Sequence, residues 1–255
     1  MKPRQKKESL ISKSTSIHNV EEDLILIKDI FIDLDDTIFD FKKAEAIAIE
    51  KTLVSFGIEP TPETLTLYSE INKSEWKLLE LGKTTRDTLR VHRFERLFSA
   101  LGTTGDAMEA QKTYEYNLGS GHFYINGAKE MLDALKECTQ YSLHLASNGT
   151  ASVQRRRIGS SDVAKYFDNI FISEDIGYNK PSVEYFDSCF AKIPNFKKEN
   201  SIIIGDSLSS DIKGGKNAGI LTCLYDPKNH YAPCDVIPDF RVKSLLEIPN
   251  LLKTL

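Results

Sequence analysis

The sequence predicts an α/β fold: a Rossmann-like parallel sheet core with an all-helical cap inserted after the first strand. Three observations predict it. Short apolar runs of strand length recur between helical patterns, most of these runs end in a polar cluster, and one long stretch after the first run has helical periodicity without a convincing strand.

The runs are Ile30 to Leu34, Leu143 to Ala146, Ile170 to Ile172, Ile202 to Ile204 and Leu221 to Leu224. Continuous apolar runs of this length, as opposed to alternating ones, fit parallel strands covered by helices on both faces. From Phe41 to about Tyr116 the pattern is helical: Thr61-Pro62-Glu63 and Thr84-Thr85-Arg86-Asp87 are helix starts, while Gly57, Gly82 and Gly102 fall where helices stop. The core resumes near Gly127 with a helix over Ala128 to Cys138 that leads into the second strand. The expected division is a disordered tail over 1–23, an α/β core over 24–40 and 124–255, and a cap over 41–123.

A chain of 255 residues can bury a sizeable core. Its formal net charge of -4 creates no field that would gather nucleic acid or an anionic membrane surface, so neither is an expected partner. The strongest apolar run, Leu24 to Leu34, is interrupted by Lys28, Asp29 and Asp33 and falls short of the roughly 18 to 20 residues a bilayer requires. Cys138, Cys189, Cys223 and Cys234 lie far apart without Cys-x-x-Cys spacing, which argues against a zinc cluster and a disulfide scaffold and fits a reducing cytoplasm. Met1 to Ser16 is rich in Lys and Ser with Glu8 its one acid, a bias shared with transit peptides; a solvated disordered tail is the preferred reading.

The polar clusters are Asp33-Leu34-Asp35-Asp36-Thr37 after the first run, Ser147-Asn148-Gly149 after the second and Gly205-Asp206-Ser207 after the fourth. Lys180-Pro181 follows the third. In open α/β sheets ligands bind at the carboxyl ends of the strands, so these clusters share one functional edge. Singly, Asp206-Ser207 or Ser147-Asn148-Gly149 would pass for turn or cap chemistry. The Asp run is harder to dismiss: three carboxylates in four positions repel one another unless a cation, hydrogen bonds or solvent offset them. A set of carboxylate and carbonyl oxygens with no nearby His or Cys suits a hard cation, and Mg²⁺ over Ca²⁺ where the chemistry is phosphoryl transfer.

These motifs, in this order and continuing through Asp211 to Gly219, resemble the haloacid dehalogenase-like hydrolase superfamily, specifically its phosphatases with a helical cap after the first motif. The resemblance runs from about Ile30 to the C-terminus. It implies that Asp33 attacks phosphorus to form an aspartyl phosphate and that Asp35 is the general acid and base. It further implies that Ser147, Asn148 and Lys180 bind the phosphoryl group. The implied Mg²⁺ ligands are Asp33, the backbone carbonyl of Asp35, Asp206 and, directly or through water, Asp211. Dehalogenases of the superfamily lack the carboxylate found here at Asp35, so that residue points to ester hydrolysis.

The cap stretch Trp76 to Lys83, with Thr85-Arg86-Asp87 and Arg93-Phe94, is similar to bacterial pyrimidine 5′-nucleotidases, as are Gln154 to Arg157, Tyr166-Phe167-Asp168 and Ser173-Glu174. Ser147 stands where that branch usually has Thr. The implied substrate is a small phosphomonoester, first a pyrimidine nucleoside monophosphate; phosphoglycolate or a sugar phosphate is the alternative, and a monomer or homodimer is expected. A silent binding module would be expected to lack one of Asp33, Asp35, Lys180 or Asp206, and all four are present. Trp76, Phe94, Tyr114, Tyr116 and Phe123 could stack on a base, although helix packing suits most of them better. Arg155-Arg156-Arg157 reads as a solvated helix face with one structural arginine, and the histidines show no metal-ligand spacing.

Overall fold

The computed structural model describes residues 26–229 and 236–255. The expected tail over 1–23 lies outside them, as does Cys234. Six strands form one sheet among the described residues: β1 (Asp29–Ile32), β2 (Ser142–Ser147), β3 (Asn169–Ile172), β4 (Ser201–Gly205), β5 (Leu221–Tyr225) and β6 (Phe240–Val242). Their order is β3-β2-β1-β4-β5-β6 and every pairing is parallel. The chain runs outward from β1 in one direction and restarts at β4 in the other. The carboxyl ends of β1 and β4 therefore flank the switch point, where the loops diverge and leave a crevice.

Between β1 and β2 lie α1 (Phe41–Ser55), α2 (Pro62–Glu80), α3 (Arg86–Ala100), α4 (Ala107–Leu118) and α5 (Ala128–Glu137). Then follow α6 (Ala151–Gly159), α7 (Ser173–Ile176), α8 (Val183–Phe190), α9 (Lys213–Ala218) and α10 (Ile248–Leu252). The expected helix starts are real caps: the Thr61 hydroxyl accepts from Thr64 N at 3.2 Å and Thr85 from Thr88 N at 3.2 Å. Gly57, Gly82 and Gly102 follow α1, α2 and α3 with φ of 69°, 66° and 62°.

Strand period sorts the core into layers. Ile30 and Ile32 pack with Leu143, Leu145, Ile202 and Ile204 against Met131, Leu132 and Leu135 of α5. Phe31, between them, joins Phe171 and Ile203 against Tyr185, Phe186 and Phe190 of α8. Helices α1 to α4 have a separate apolar cluster around Tyr68, Phe94, Leu97 and Tyr114. Inside it sits a buried polar chain: Asn72 Nδ2 donates to Glu45 at 2.6 Å, while Arg93 donates to Asn72 Oδ1 at 2.8 Å and to Gln111 Oε1 at 2.6 Å.

The five expected strands are present, and β6 is an addition that the sequence reading missed. Phe-Arg-Val offers no apolar run; the edge is fixed by Asp239, whose carboxylate accepts from Thr222 N at 2.9 Å and Thr222 Oγ1 at 2.8 Å. His144, unassigned from sequence, is buried in β2. Asn169 Nδ2 lies 3.1 Å from its Nδ1 and Asp29 Oδ1 3.0 Å from its Nε2, a pattern that places the proton of a neutral ring on Nε2.

Leu132 is fully buried between α5 and the sheet. Leu132→Ala should lower unfolding free energy by about 2–5 kcal/mol in chemical denaturation, through lost transfer energy and a cavity.

Candidate active site

The site begins where β1 ends. Asp33 N donates to Ile204 O at 2.9 Å, locking the first residue after β1 to β4. The chain then turns back, with Ile38 N and Phe39 N both donating to Leu34 O at 2.9 and 2.8 Å. Asp36 holds the left-handed corner at φ 59°, a conformation Asp tolerates better than bulkier residues, and its carboxylate pairs with Lys42 Nζ at 2.7 Å. That is the structural occupation of the third carboxylate of the run.

Lys180 joins the strand ends. Its ammonium is 1% exposed and donates at 2.6 Å to each of three oxygens: Asp33 Oδ1, Asp211 Oδ1 and the Ala146 carbonyl. Burial alone would lower its pKa, but Asp211 and Asp33 hold it above the ordinary lysine value, so it is charged. The Asn148 amide clamps the Lys180 peptide from both sides, donating to its carbonyl at 2.9 Å and accepting from its N–H at 2.8 Å. Asn148 therefore fixes the loop that carries Lys180, and it also lines the cavity beneath the cap.

Asp211 lies on an irregular helical turn over Leu208–Ile212. Besides Lys180, its carboxylate accepts from Ser207 N at 3.0 Å, and it lies where a side chain on Gly205 would be. Oxygens of Asp33, Asp206 and Asp211 come within 4.8 Å of one another. Burial, reinforced by Asp211 and Asp35 and opposed by Lys180, pushes Asp33 up to about 8. Burial, then Asp33 and Asp211, pushes Asp206 well above the usual carboxylate range. One ammonium thus leaves the cluster short of positive charge, and an all-oxygen donor set with that deficit fits a hard divalent cation.

Beside the cluster, the Ser147 hydroxyl accepts from Gly149 N at 3.1 Å and Gln154 Nε2 at 2.8 Å. With both lone pairs occupied, its own O–H is left to donate. The Gln154 side chain packs where a Cβ on Gly149 would stand, which accounts for glycine in that motif. Gln154 Nε2 also donates to Asp35 Oδ2 at 2.6 Å, and Arg157 pairs with Asp35 Oδ1. Arg157 is the one structural arginine of the basic triplet. Arg155 pairs with Asp175 at the surface, and Arg156 covers the ring of the exposed Tyr116.

These groups floor a cavity of about 210 Å³ roofed by Phe41, Trp76, Arg93, Tyr114, Glu115 and Leu118. Of the five cap aromatics, Trp76 and Tyr114 line it. Phe94 packs against Tyr68 and Tyr114, and Phe123 lies beneath Lys43. Arg86 fastens the roof to the floor, donating to Asn148 O at 3.0 Å, Ser173 Oγ at 2.8 Å and Asn179 Oδ1 at 2.6 Å, while Arg90 reaches Glu174 at 2.6 Å. Sequence reading missed Gln154, Arg157, Glu115 and the anchoring by Arg86 as site features. The glycine of Ser147-Asn148-Gly149 was the available signal for Gln154.

Fold and site together define a doubly wound α/β hydrolase with its acids at the switch point beneath a helical roof. The chain belongs to the haloacid dehalogenase-like hydrolase family, whose profile matches residues 30–225. It is 36% identical over 223 residues to the HAD-hydrolase YfnB of Bacillus subtilis, covering 88% of this chain and 94% of YfnB. It is 35% identical over 225 residues to the pyrimidine 5′-nucleotidase PynA of Streptococcus pneumoniae, with 88% and 94% covered. Identity to the pyrimidine 5′-nucleotidase YjjG of Escherichia coli is 27% over 223 residues, with 88% and 96% covered. The crystal structure of YfnB bound to magnesium superposes with a TM-score of 0.84 over 89% of this chain and 99% of that one. An L-2-haloacid dehalogenase from Xanthobacter autotrophicus, 14% identical, shares the fold at a TM-score of 0.69 over 89% of this chain and 99% of that one.

Removing the ammonium strands two buried carboxylates. Lys180→Met should destabilise the chain by about 3–5 kcal/mol in urea denaturation, whether or not any substrate is turned over.

Proposed function

We propose that the chain is a Mg²⁺-dependent phosphomonoester hydrolase working through an aspartyl phosphate on Asp33, with pyrimidine nucleoside 5′-monophosphates as its substrates. The observation that carries the reading is the convergence of Asp33, Asp206 and Asp211 around Lys180 at the switch point. A phosphate dianion approaching a carboxylate nucleophile needs opposing charge and donors already in place, and electrostatic preorganisation of this kind dominates phosphoryl transfer.

Asp33 attacks phosphorus while Lys180, its three N–H bonds taken by Asp33, Asp211 and the Ala146 carbonyl, holds the nucleophile in place and supplies positive charge, and the Ser147 hydroxyl donates to the transferring oxygens. Asp33, Asp206 and the Asp35 carbonyl would hold Mg²⁺, with Asp211 joining directly or through water, and the cation would neutralise phosphoryl charge. Because both Asp211 oxygens already accept hydrogen bonds, the water-mediated role is favoured. Asp35 gives a proton to the departing alkoxide and later takes one from the attacking water, so one carboxyl serves both halves of the reaction. The dehalogenase fold match does not distinguish the two chemistries. Asp35 does, because displacement at carbon needs no such acid.

Similarity to PynA and YjjG supports the pyrimidine monophosphate reading, and Trp76 beside the cavity offers a ring for stacking. A panel of phosphomonoesters with Mg²⁺ tests it. UMP, dUMP and dTMP should lead the panel and Asp33→Asn should abolish turnover with the fold intact by circular dichroism; a preference for sugar phosphates or phosphoglycolate would overturn the substrate, and an active Asp33→Asn the mechanism.

The metal set has its own readout. Mg²⁺ at 100 times its dissociation constant should stabilise the folded chain by about 2.7 kcal/mol, seen as a raised melting temperature. Asp206→Asn should shrink that shift while Asp36→Asn keeps it; an undiminished shift in Asp206→Asn would remove Asp206 from the ligand set.

A further inference from the structure

Arg157 has no exposed surface, yet it lines the cavity. A buried guanidinium loses hydration, and a buried ion pair is commonly no more stabilising than apolar side chains of similar volume. Its contacts therefore ask for a use other than filling space. Nε donates to the Gly121 carbonyl at 2.6 Å, and Nη1 pairs with Asp35 Oδ1 and donates to Gln154 Oε1 at 3.0 Å. The plane lies over the Phe39 ring at 5.4 Å, and Nη2 has no hydrogen-bond partner. Gln154, one helical turn earlier on α6, occupies the other Asp35 oxygen at 2.6 Å. Both carboxyl oxygens are thus gripped from a single rigid turn, while the Asp35 side chain keeps 27% exposure beside the cavity.

The Gly121 end of this arrangement lies on the segment that returns from α4 to the core. Tight packing fixes it there, since a Cβ at Gly121 would collide with Ala44. A few residues further on, Phe39 and Tyr124 form an antiparallel bridge, and Asp40 N donates to Phe123 O at 2.8 Å. One guanidinium accordingly spans the acid carboxyl and the peptide on which the roof hangs.

We infer that Arg157 is a positioning residue for Asp35, which, with Gln154, fixes the direction of its carboxyl relative to the return segment at Gly121. The inference rests on the phosphatase reading above. In the first step the Asp33–phosphorus bond forms, the ester phosphorus–oxygen bond breaks, and the proton of the Asp35 carboxyl passes to the departing oxygen. In the second, water adds to phosphorus, the Asp33–phosphorus bond breaks, and the water proton returns to Asp35. Misdirecting the carboxyl harms the first step only where the leaving oxygen needs that proton. An alkoxide does, and a nitrophenolate does not.

The test compares kcat/KM for an alkyl phosphomonoester, UMP, with that for p-nitrophenyl phosphate, in the full-length enzyme with Mg²⁺. Because kcat/KM ends at ester cleavage, the later water step does not enter. Arg157→Met should lower the UMP to nitrophenyl ratio by about 10²-fold or more, the scale of a general-acid contribution, with Arg157→Lys recovering part of it. Gln154→Leu should move the ratio in the same direction, and it decides the matter if Arg157→Met fails to fold by circular dichroism. Equal losses on both esters, or a ratio unmoved in the folded variants, would overturn the positioning role and leave the phosphatase reading standing. A wild-type enzyme inert toward both esters would overturn that reading and this inference with it.

Discussion

The structure depends on one buried ammonium. Lys180 Nζ touches the residue after β1, the last residue but one of β2 and the turn after β4, at 2.6 Å each. Without its charge, Asp33 and Asp211 would face each other in a site where burial already raises Asp33 to about 8. The loop that delivers Lys180 is held in turn by Asn148, so the motif after β2 and the lysine after β3 work as one unit. The electrostatic arrangement that suits phosphate thus also keeps the strand ends from spreading, and stability and chemistry share the same atoms.

The roof follows a different logic. Its Glu45, Asn72, Arg93 and Gln111 are linked by hydrogen bonds inside the apolar bundle, with the Gln111 amide nitrogen left without a partner among the described residues, and Arg93 shows its edge to the cavity. A buried hydrogen-bonded network fixes a bundle more narrowly than interchangeable apolar contacts do, because each donor suits few partners in few directions. The cavity wall above the acids is attached to the core through Arg86 and Arg90 on α3, through Glu80 on α2, which accepts from Ser209 Oγ at 2.9 Å, and through Arg157 on the Gly121 carbonyl.

Legibility in the sequence tracked the range of the interaction. Parallel strands buried on both faces are written as apolar runs, so β1 to β5 could be read directly, and the caps at Thr61 and Thr85 are local hydrogen bonds. The acids could be read because their crowding is itself local. What escaped was long-range or short of signal. Gln154 and Arg157 meet Asp35 across 119 and 122 residues, and a run of three arginines does not say which of them turns inward. Glu45 sits on the same stripe as Ala44, Ala48 and Ile49, a charged residue in a buried face that periodicity treats as noise. Strand β6 has three residues and an arginine at its centre, and its pairing depends on Asp239 reaching Thr222.

The chain passes between the two bodies twice, and the crossings lie side by side, joined by Asp40 N to Phe123 O at 2.8 Å and Ile125 N to Ile38 O at 2.9 Å. Two strands bonded in this way behave as a narrow ribbon. A ribbon twists and bends across its flat face more easily than it shears in its own plane, since shear would break the bonds between its edges. The helical roof is thereby joined to the core by a paired crossing, and sliding it in the plane of that ribbon would cost the hydrogen bonds between the two segments.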